Sequence, residues 1–181
     1  MNLPNKLTML RVILVPVFMV FAAYSRYGTA DFNPTFALIA GIIFAIASFT
    51  DFLDGYLARK NNLVTDFGKF MDPLADKMLV MAAMCYFVEC GQMPGWCLAI
   101  VLLREFAVSG MRLVAVEQGR VIAAAWSGKI KTASTMVCLC LMLVFSSSVL
   151  NLVCSVLIVA TTVYSGIEYF AKNLDVFKEA D

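Results

Sequence analysis

The chain of 181 residues contains no histidine. Imidazole is therefore excluded as general base and as metal ligand, and acid–base work falls to carboxylates. Charge is scarce as well. Only 15% of residues are charged and 61% are hydrophobic, with a mean hydropathy of +0.83, whereas soluble domains average about 25% and 45–50%. An ordinary soluble fold is excluded. The net charge of +1 offers no basic surface to nucleic acid, so no nucleic-acid partner is expected. The six cysteines, Cys85, Cys90, Cys97, Cys138, Cys140 and Cys154, show no C-x-x-C spacing and mostly sit in apolar runs, where they read as packing residues. Long polar stretches are missing too. Six helical spans of about 20 residues would use about 120 of the chain, so residues 1–181 read as a single all-α integral membrane domain.

The apolar runs predict six transmembrane helices. They lie at about 7–24, from 35 into the stretch beginning at 51, 67–89, 96–116, from the run at 128–131 to about 144, and 152–170. Pro16 is placed to kink the first, and Pro34 suits the first turn of the second. The first run, with its basic start and Ala22-Ala23, also has features of a secretory signal, but the rest of the chain is equally apolar and a retained span fits better. Six spans put both termini on one side. Of the 14 lysines and arginines, all but Arg26 then fall on that side. This asymmetry predicts cytoplasmic termini and a multi-pass protein of the inner (cytoplasmic) membrane.

Against that apolar background, four aspartates stand out: Asp51, Asp54, Asp72 and Asp76. The first two are three residues apart and the last two are four apart, so on helices each pair shares a face, with about 5–6 Å between Cβ atoms. An aspartate at mid-bilayer costs about 2.5–3.5 kcal/mol. Four unpaired ones are affordable only near the membrane boundary and neutralised, and a cage of hard oxygens is suited to Mg²⁺ or Mn²⁺ shared with a phosphate. Gly55, Ala58 and Gly68 leave a strip where a flat ligand or a second helix can come close. The competing reading is a helix-end charge cluster paired with Lys60, Lys69 and Lys77.

The pattern Asp51-x-x-Asp54-Gly55-x-x-Ala58-Arg59, eight residues, then Gly68-x-x-x-Asp72-x-x-x-Asp76 resembles the signature of the CDP-alcohol phosphotransferases, with every position filled. The resemblance implies a six-helix membrane enzyme, usually a homodimer, that displaces CMP from a CDP-linked lipid with an alcohol. It implies two divalent ions, with Asp51, Asp54 and Asp72 as ligands. Asp76 would be the base for the acceptor hydroxyl and would also touch metal. Asp54, Gly55, Ala58, Arg59 and Gly68 would border the CDP moiety.

The acceptor is read from the remaining charges. Arg104, Glu105 and Arg112 lie in the otherwise apolar fourth run, and the two arginines, eight residues apart, point within about 80° of each other on a helix. Lys129 and Lys131 open the fifth. Cations facing a cytoplasmic cavity suit a second phosphate, that of a phosphorylated acceptor. Alternatively Arg104 pairs with a carboxylate, and the others meet lipid headgroups. The opening run 2–11, the run from Arg104 to Arg112 and Gly128-Lys129-Ile130-Lys131-Thr132 resemble the phosphatidylglycerophosphate synthase branch of the same family. That favours CDP-diacylglycerol and sn-glycerol 3-phosphate as substrates among membrane lipids, with phosphatidylglycerol phosphate and CMP as products. Rival readings are a sister enzyme using inositol, inositol phosphate, serine or phosphatidylglycerol, a divalent-cation transporter, and a structural scaffold. Glu168 is expected to cap a helix or pair with a cation, and Trp96 to anchor at the interface.

Overall fold

The computed structural model describes residues 3–25, 33–60, 66–120, 122–123, 125–145 and 147–178, and the side chains of 3–4, 51–70, 72–73 and 177–178 lie outside that description. Six long helices follow one another: α1 (Leu3–Tyr24), α2 (Pro34–Lys60), α3 (Asp66–Glu89), α4 (Gly95–Glu117), α5 (Trp126–Val144) and α6 (Ser148–Lys172). A short α7 (Asp175–Lys178) closes the chain. No strand occurs among the described residues, as the all-α expectation requires. Pro34 opens α2, and α1 continues through Pro16. α6 starts earlier than the sixth predicted span, at Ser148 and not at 152.

Two glycines set sharp ends. Gly91 (φ 66°) follows α3 and Gly119 (φ 73°) follows α4. In both places the glycine N–H returns to the carbonyl three residues back, Val88 or Val116, and the next N–H reaches Phe87 or Ala115. A residue in this left-handed conformation is most cheaply a glycine, and the paired bonds satisfy carbonyls that the helix end leaves open.

Side-chain contacts fix the helix directions. Phe18 of α1 meets Phe44 of α2 with ring centroids 5.8 Å apart, and Phe21 and Tyr24 meet Phe36, so α1 and α2 are antiparallel. Ser25, just past α1, shares a 3.1 Å hydrogen bond with Tyr86 near the end of α3, so α1 and α3 run together. Arg104 and Arg112 of α4 reach Ser165 and Tyr169 of α6 in the same order, so those two are parallel. The N-terminal ends of α1, α3 and α5 therefore lie at the same end of the bundle as the C-terminal ends of α2, α4 and α6.

The main core joins α1, α2 and α3 around buried Phe18, Phe44, Leu79, Met84 and Phe87, and extends to Leu139 and Met142 of α5 and Ile158 of α6. Small residues permit the close approach: Ala40, Ala47 and Ala83 are buried, and a Cβ on Gly41 would already stand 3.6 Å from Leu143. The outward faces are apolar as well, with Leu103, Phe106, Leu113, Leu152, Val156 and Ile167 exposed. In water such a surface would associate or precipitate; facing lipid it is solvated.

By length and composition, three helices among the described residues can cross a membrane: Asn5–Tyr24, Trp126–Val144 and Ser148–Lys172. The shorter Pro34–Thr50 is apolar but not long enough by itself. With 24 and 23 residues, α3 and α4 are about 36 and 35 Å long, enough for a hydrocarbon core of about 30 Å. Charges set them apart from the other three; among the described ones Arg104 and Glu105 are largely withdrawn from solvent, while Glu89, Arg112 and Glu117 are exposed.

Candidate functional site

The aspartate stretch divides between two helices, the condition under which its spacing puts each pair on one face. The backbone is helical over 51–60 at the end of α2 and over 66–76 at the start of α3. Each pair, Asp51 with Asp54 and Asp72 with Asp76, therefore shares one helix face, and both segments lie at the same end of the bundle. The side chains of Asp51, Asp54, Gly55, Ala58, Arg59, Gly68 and Asp72 lie outside the described residues. Asp76 is described. It is half-buried, with Oδ1 withdrawn from solvent, and it follows the fully buried Ala75. Among the described residues no three metal-ligating side chains gather. The donor set nevertheless fits a hard divalent ion, because it is carboxylate oxygen on two helices at one bundle end.

Next to Asp76 in the chain, Lys77 begins a second cluster. Its Nζ lies 2.8 Å from Ser109 Oγ and 3.6 Å from Glu105 Oε2. Glu105 is the hub. Its Oε1 accepts from Lys131 Nζ at 2.6 Å and from Arg104 at 2.9 Å, so one carboxylate gathers cations from α3, α4 and α5. Arg104 also donates to Ser165 of α6 at 2.6 Å, while its Nε, buried, has no hydrogen-bond partner among the described residues. Exposure is low at the centre of the cluster, 7% for the Lys131 side chain, 13% for Glu105 and 14% for Arg104, while Lys77 at the edge is 37% exposed. Three cations around one carboxylate leave two positive charges in excess among the described residues of the cluster.

Glycines make room for Arg104. A Cβ on Gly166 would lie 3.3 Å from its Cγ, and one on Gly128 would lie 3.7 Å from its guanidinium. On the lipid side the Arg104 stem floors an apolar groove of about 320 Å³ between α4 and α6, walled by Leu103, Ala107, Val163 and Ile167.

Of the four cations assigned to an acceptor phosphate, the structure thus brings Arg104 and Lys131 onto one carboxylate. Arg112 and Lys129 stand apart from that hub and are exposed. Arg112 donates to the Tyr169 hydroxyl at 3.0 Å and lies over that ring, and Lys129 lies over Trp126. Tyr169 and Trp126 line a cavity of about 480 Å³, together with Arg120, Glu168, Lys172 and Val176. Glu168 pairs with Lys172 one turn on, as its position suggested. Beside the cavity, Arg120 binds Asp175 at 2.5 Å and Gln118 donates to the Val176 carbonyl, clasping α7 to the end of α4. The Arg120 guanidinium holds the Asp175 carboxyl below the usual carboxylate range.

Sequence reasoning noted Glu105 but gave it no role, and it missed Ser109, Ser165 and Tyr169 as partners. It also gave no role to a buried polar row in α1, Asn5, Thr8 and Arg11, the last fully inaccessible to solvent. The signal was there. Polar residues at three-residue intervals in an apolar helix belong to one inward face.

Comparison with known proteins bears on the chemistry. A family profile described as CDP-alcohol phosphatidyltransferase matches residues 1–164. The chain is similar to the CDP-diacylglycerol–glycerol-3-phosphate 3-phosphatidyltransferase of Bacillus subtilis, with 43% identity over 194 aligned positions that cover 99% of both chains. It is also 39% identical, over 144 positions covering 76% of this chain and 74% of the relative, to the protein of that name in Salmonella choleraesuis.

Proposed function

Because the chain belongs to the CDP-alcohol phosphatidyltransferase family, we propose that it transfers the phosphatidyl group of CDP-diacylglycerol to sn-glycerol 3-phosphate, giving phosphatidylglycerol phosphate and CMP. The observation that carries the choice of acceptor is the excess of positive charge where Lys77, Arg104 and Lys131 surround Glu105, two of the three cations being largely withdrawn from solvent. Buried cations are costly in a membrane, and an uncharged alcohol would give nothing in return. A phosphate monoester carries about −1.5 to −2 charges near pH 7 and offsets the excess. Arg104 and Lys131 form the inner wall of this subsite. Arg112 and Lys129, held against Tyr169 and Trp126 beside the larger cavity, form its outer rim.

The family is generally dependent on divalent metal. We assign Mg²⁺ or Mn²⁺, two ions, to Asp51, Asp54, Asp72 and Asp76. Bound there, they would supply positive charge to the diphosphate of the donor. Asp54, Gly55, Ala58, Arg59 and Gly68 border the CDP moiety. Asp76 accepts the proton of the acceptor hydroxyl as that oxygen bonds to the phosphatidyl phosphorus, and the bond to CMP breaks. An alcohol is a weak nucleophile, so a carboxylate within hydrogen-bond reach is needed at this moment. The remaining contribution is alignment of two bound substrates, with little covalent help from protein. The same reading has residues 1–181 as one domain of six spans and both termini in the cytoplasm. It places a homodimer in the inner membrane with its site on the cytoplasmic face. Support for the orientation comes from the concentration of lysine and arginine at one end of the bundle.

The test is CMP release by the purified, detergent-solubilised protein from CDP-diacylglycerol with Mg²⁺ or Mn²⁺. Glycerol 3-phosphate should support release and inositol, inositol phosphate and serine should not. Release only with one of those others would overturn the acceptor, and release with none would overturn the activity.

A further inference from the structure

We infer that Glu105 is the positioning residue of the acceptor subsite, a role that rests on the reading of glycerol 3-phosphate given above. Its carboxylate holds Lys131 at 2.6 Å, Arg104 at 2.9 Å and Lys77 at 3.6 Å, and these come from α5, α4 and α3. Among the described residues it is the one carboxylate in contact with all three cations, and without its charge three like charges brought together repel. Ser165 and Ser109 each hold one cation but carry no charge to offset that repulsion. Glu105 therefore does two opposed things. It lowers the positive potential of the pocket by one charge, and it sets the geometry in which the remaining two meet a phosphate.

The tether to Lys77 adds a link to the chemistry. Lys77 follows Asp76 directly, so Glu105 also anchors the turn of α3 that carries the base against the helix that carries the phosphate-binding arginines. Misplacing either by about 1 Å is the kind of error that costs an enzyme up to about 100-fold. Glu105 needs no contact with substrate to have this effect.

Charge and positioning make opposite predictions, which allows them to be separated. Glu105→Gln leaves three positive charges. If charge alone mattered, glycerol 3-phosphate would bind more tightly. On the positioning account its KM rises about tenfold or more, while the KM for CDP-diacylglycerol stays within about twofold. A second variant, Glu105→Gln with Lys77→Gln, returns the cluster to two excess charges without the clamp, and its KM for glycerol 3-phosphate stays raised. Glu105→Asp, which keeps the charge on a stem shorter by one methylene, recovers part of the loss.

These constants would be measured on the purified protein, with thermal denaturation in detergent to confirm that each variant folds. The double variant decides the matter where Glu105→Gln does not fold, and Glu105→Asp decides it where neither does, its KM for glycerol 3-phosphate then rising alone. An unchanged or lowered KM in Glu105→Gln, a parallel rise for both substrates, or wild-type behaviour of the double variant overturns the proposal. Wild-type protein that ignores glycerol 3-phosphate overturns the acceptor reading instead, and this inference with it.

Discussion

Around Phe18 the bundle is filled with rings and small residues, whereas around Glu105 it is filled with charges. Phe18, Phe44, Tyr86 and Phe87 interlock there with Ala40, Ala47 and Ala83, and a hydrogen bond between Ser25 and Tyr86 lies at the edge. In lipid this packing has little hydrophobic drive behind it, because the surrounding acyl chains are as apolar as the side chains, so shape complementarity holds the helices together. The Glu105 region reverses that logic. Each buried charge costs energy, and only mutual pairing offsets it. One region is interchangeable in chemistry and strict in volume, the other strict in chemistry. A molecule keeps the second kind of interior where a ligand needs it.

The comparison is broken most severely at Asp76. Asp76→Asn is expected to lower kcat for CMP release by about 10²–10⁴-fold, the usual worth of a positioned general base, while the thermal midpoint in detergent changes little. Phe44→Ala is the opposite case. It should cost about 3–5 kcal/mol of stability, seen as a lowered denaturation midpoint, with the KM for both substrates unchanged in protein that remains folded. Arg104→Met should raise the KM for glycerol 3-phosphate about tenfold and leave that for CDP-diacylglycerol nearly unchanged; equal effects on the two would remove Arg104 from the acceptor subsite. Gly166→Ala places a Cβ 3.3 Å from Arg104 Cγ, and the small shift this forces on the stem should raise the same KM about two- to threefold. The smallest effect belongs to the exposed clasp of α7. Since Arg120 depresses the Asp175 pKa, the pair stabilises the fold above about pH 4 and that contribution fades as pH falls through the lowered value. Asp175→Asn should therefore lower the thermal midpoint slightly at neutral pH and not at all in strong acid.

The helices were legible because their periodic apolar runs are long and their stops are explicit. Pro34 marks a boundary that the backbone then respects, opening α2. The start of α6 was less legible, since Ser147, Ser148 and Asn151 look like turn residues and in fact begin a helix whose buried side includes Asn151 and Ser155. For the site, the aspartate spacing puts each pair on one face if its segment is helical, and both segments are helical. For Arg104 the sequence offered pairing with a carboxylate as one of two readings, and Glu105 is such a partner; the contacts of Lys131 and Arg112 were not legible. Lys77 was weighed only as a neighbour of the aspartates, and Glu105 only as one charge among three in its span, because a one-dimensional reading cannot tell that α3, α4 and α5 meet at one level.

By itself the sequence determined that this protein is helical, embedded in lipid and equipped with carboxylates in place of imidazole. Those properties follow from composition and from spacings within a single helix, where 3.6 residues per turn ties sequence separation to direction. Only the tertiary structure decided that Glu105 would gather Lys77 and Lys131 beside its neighbour Arg104 while Arg112 turns to the Tyr169 ring. Those choices depend on the rotation and depth of each helix against its neighbours, which are set by the summed packing of side chains distant in sequence.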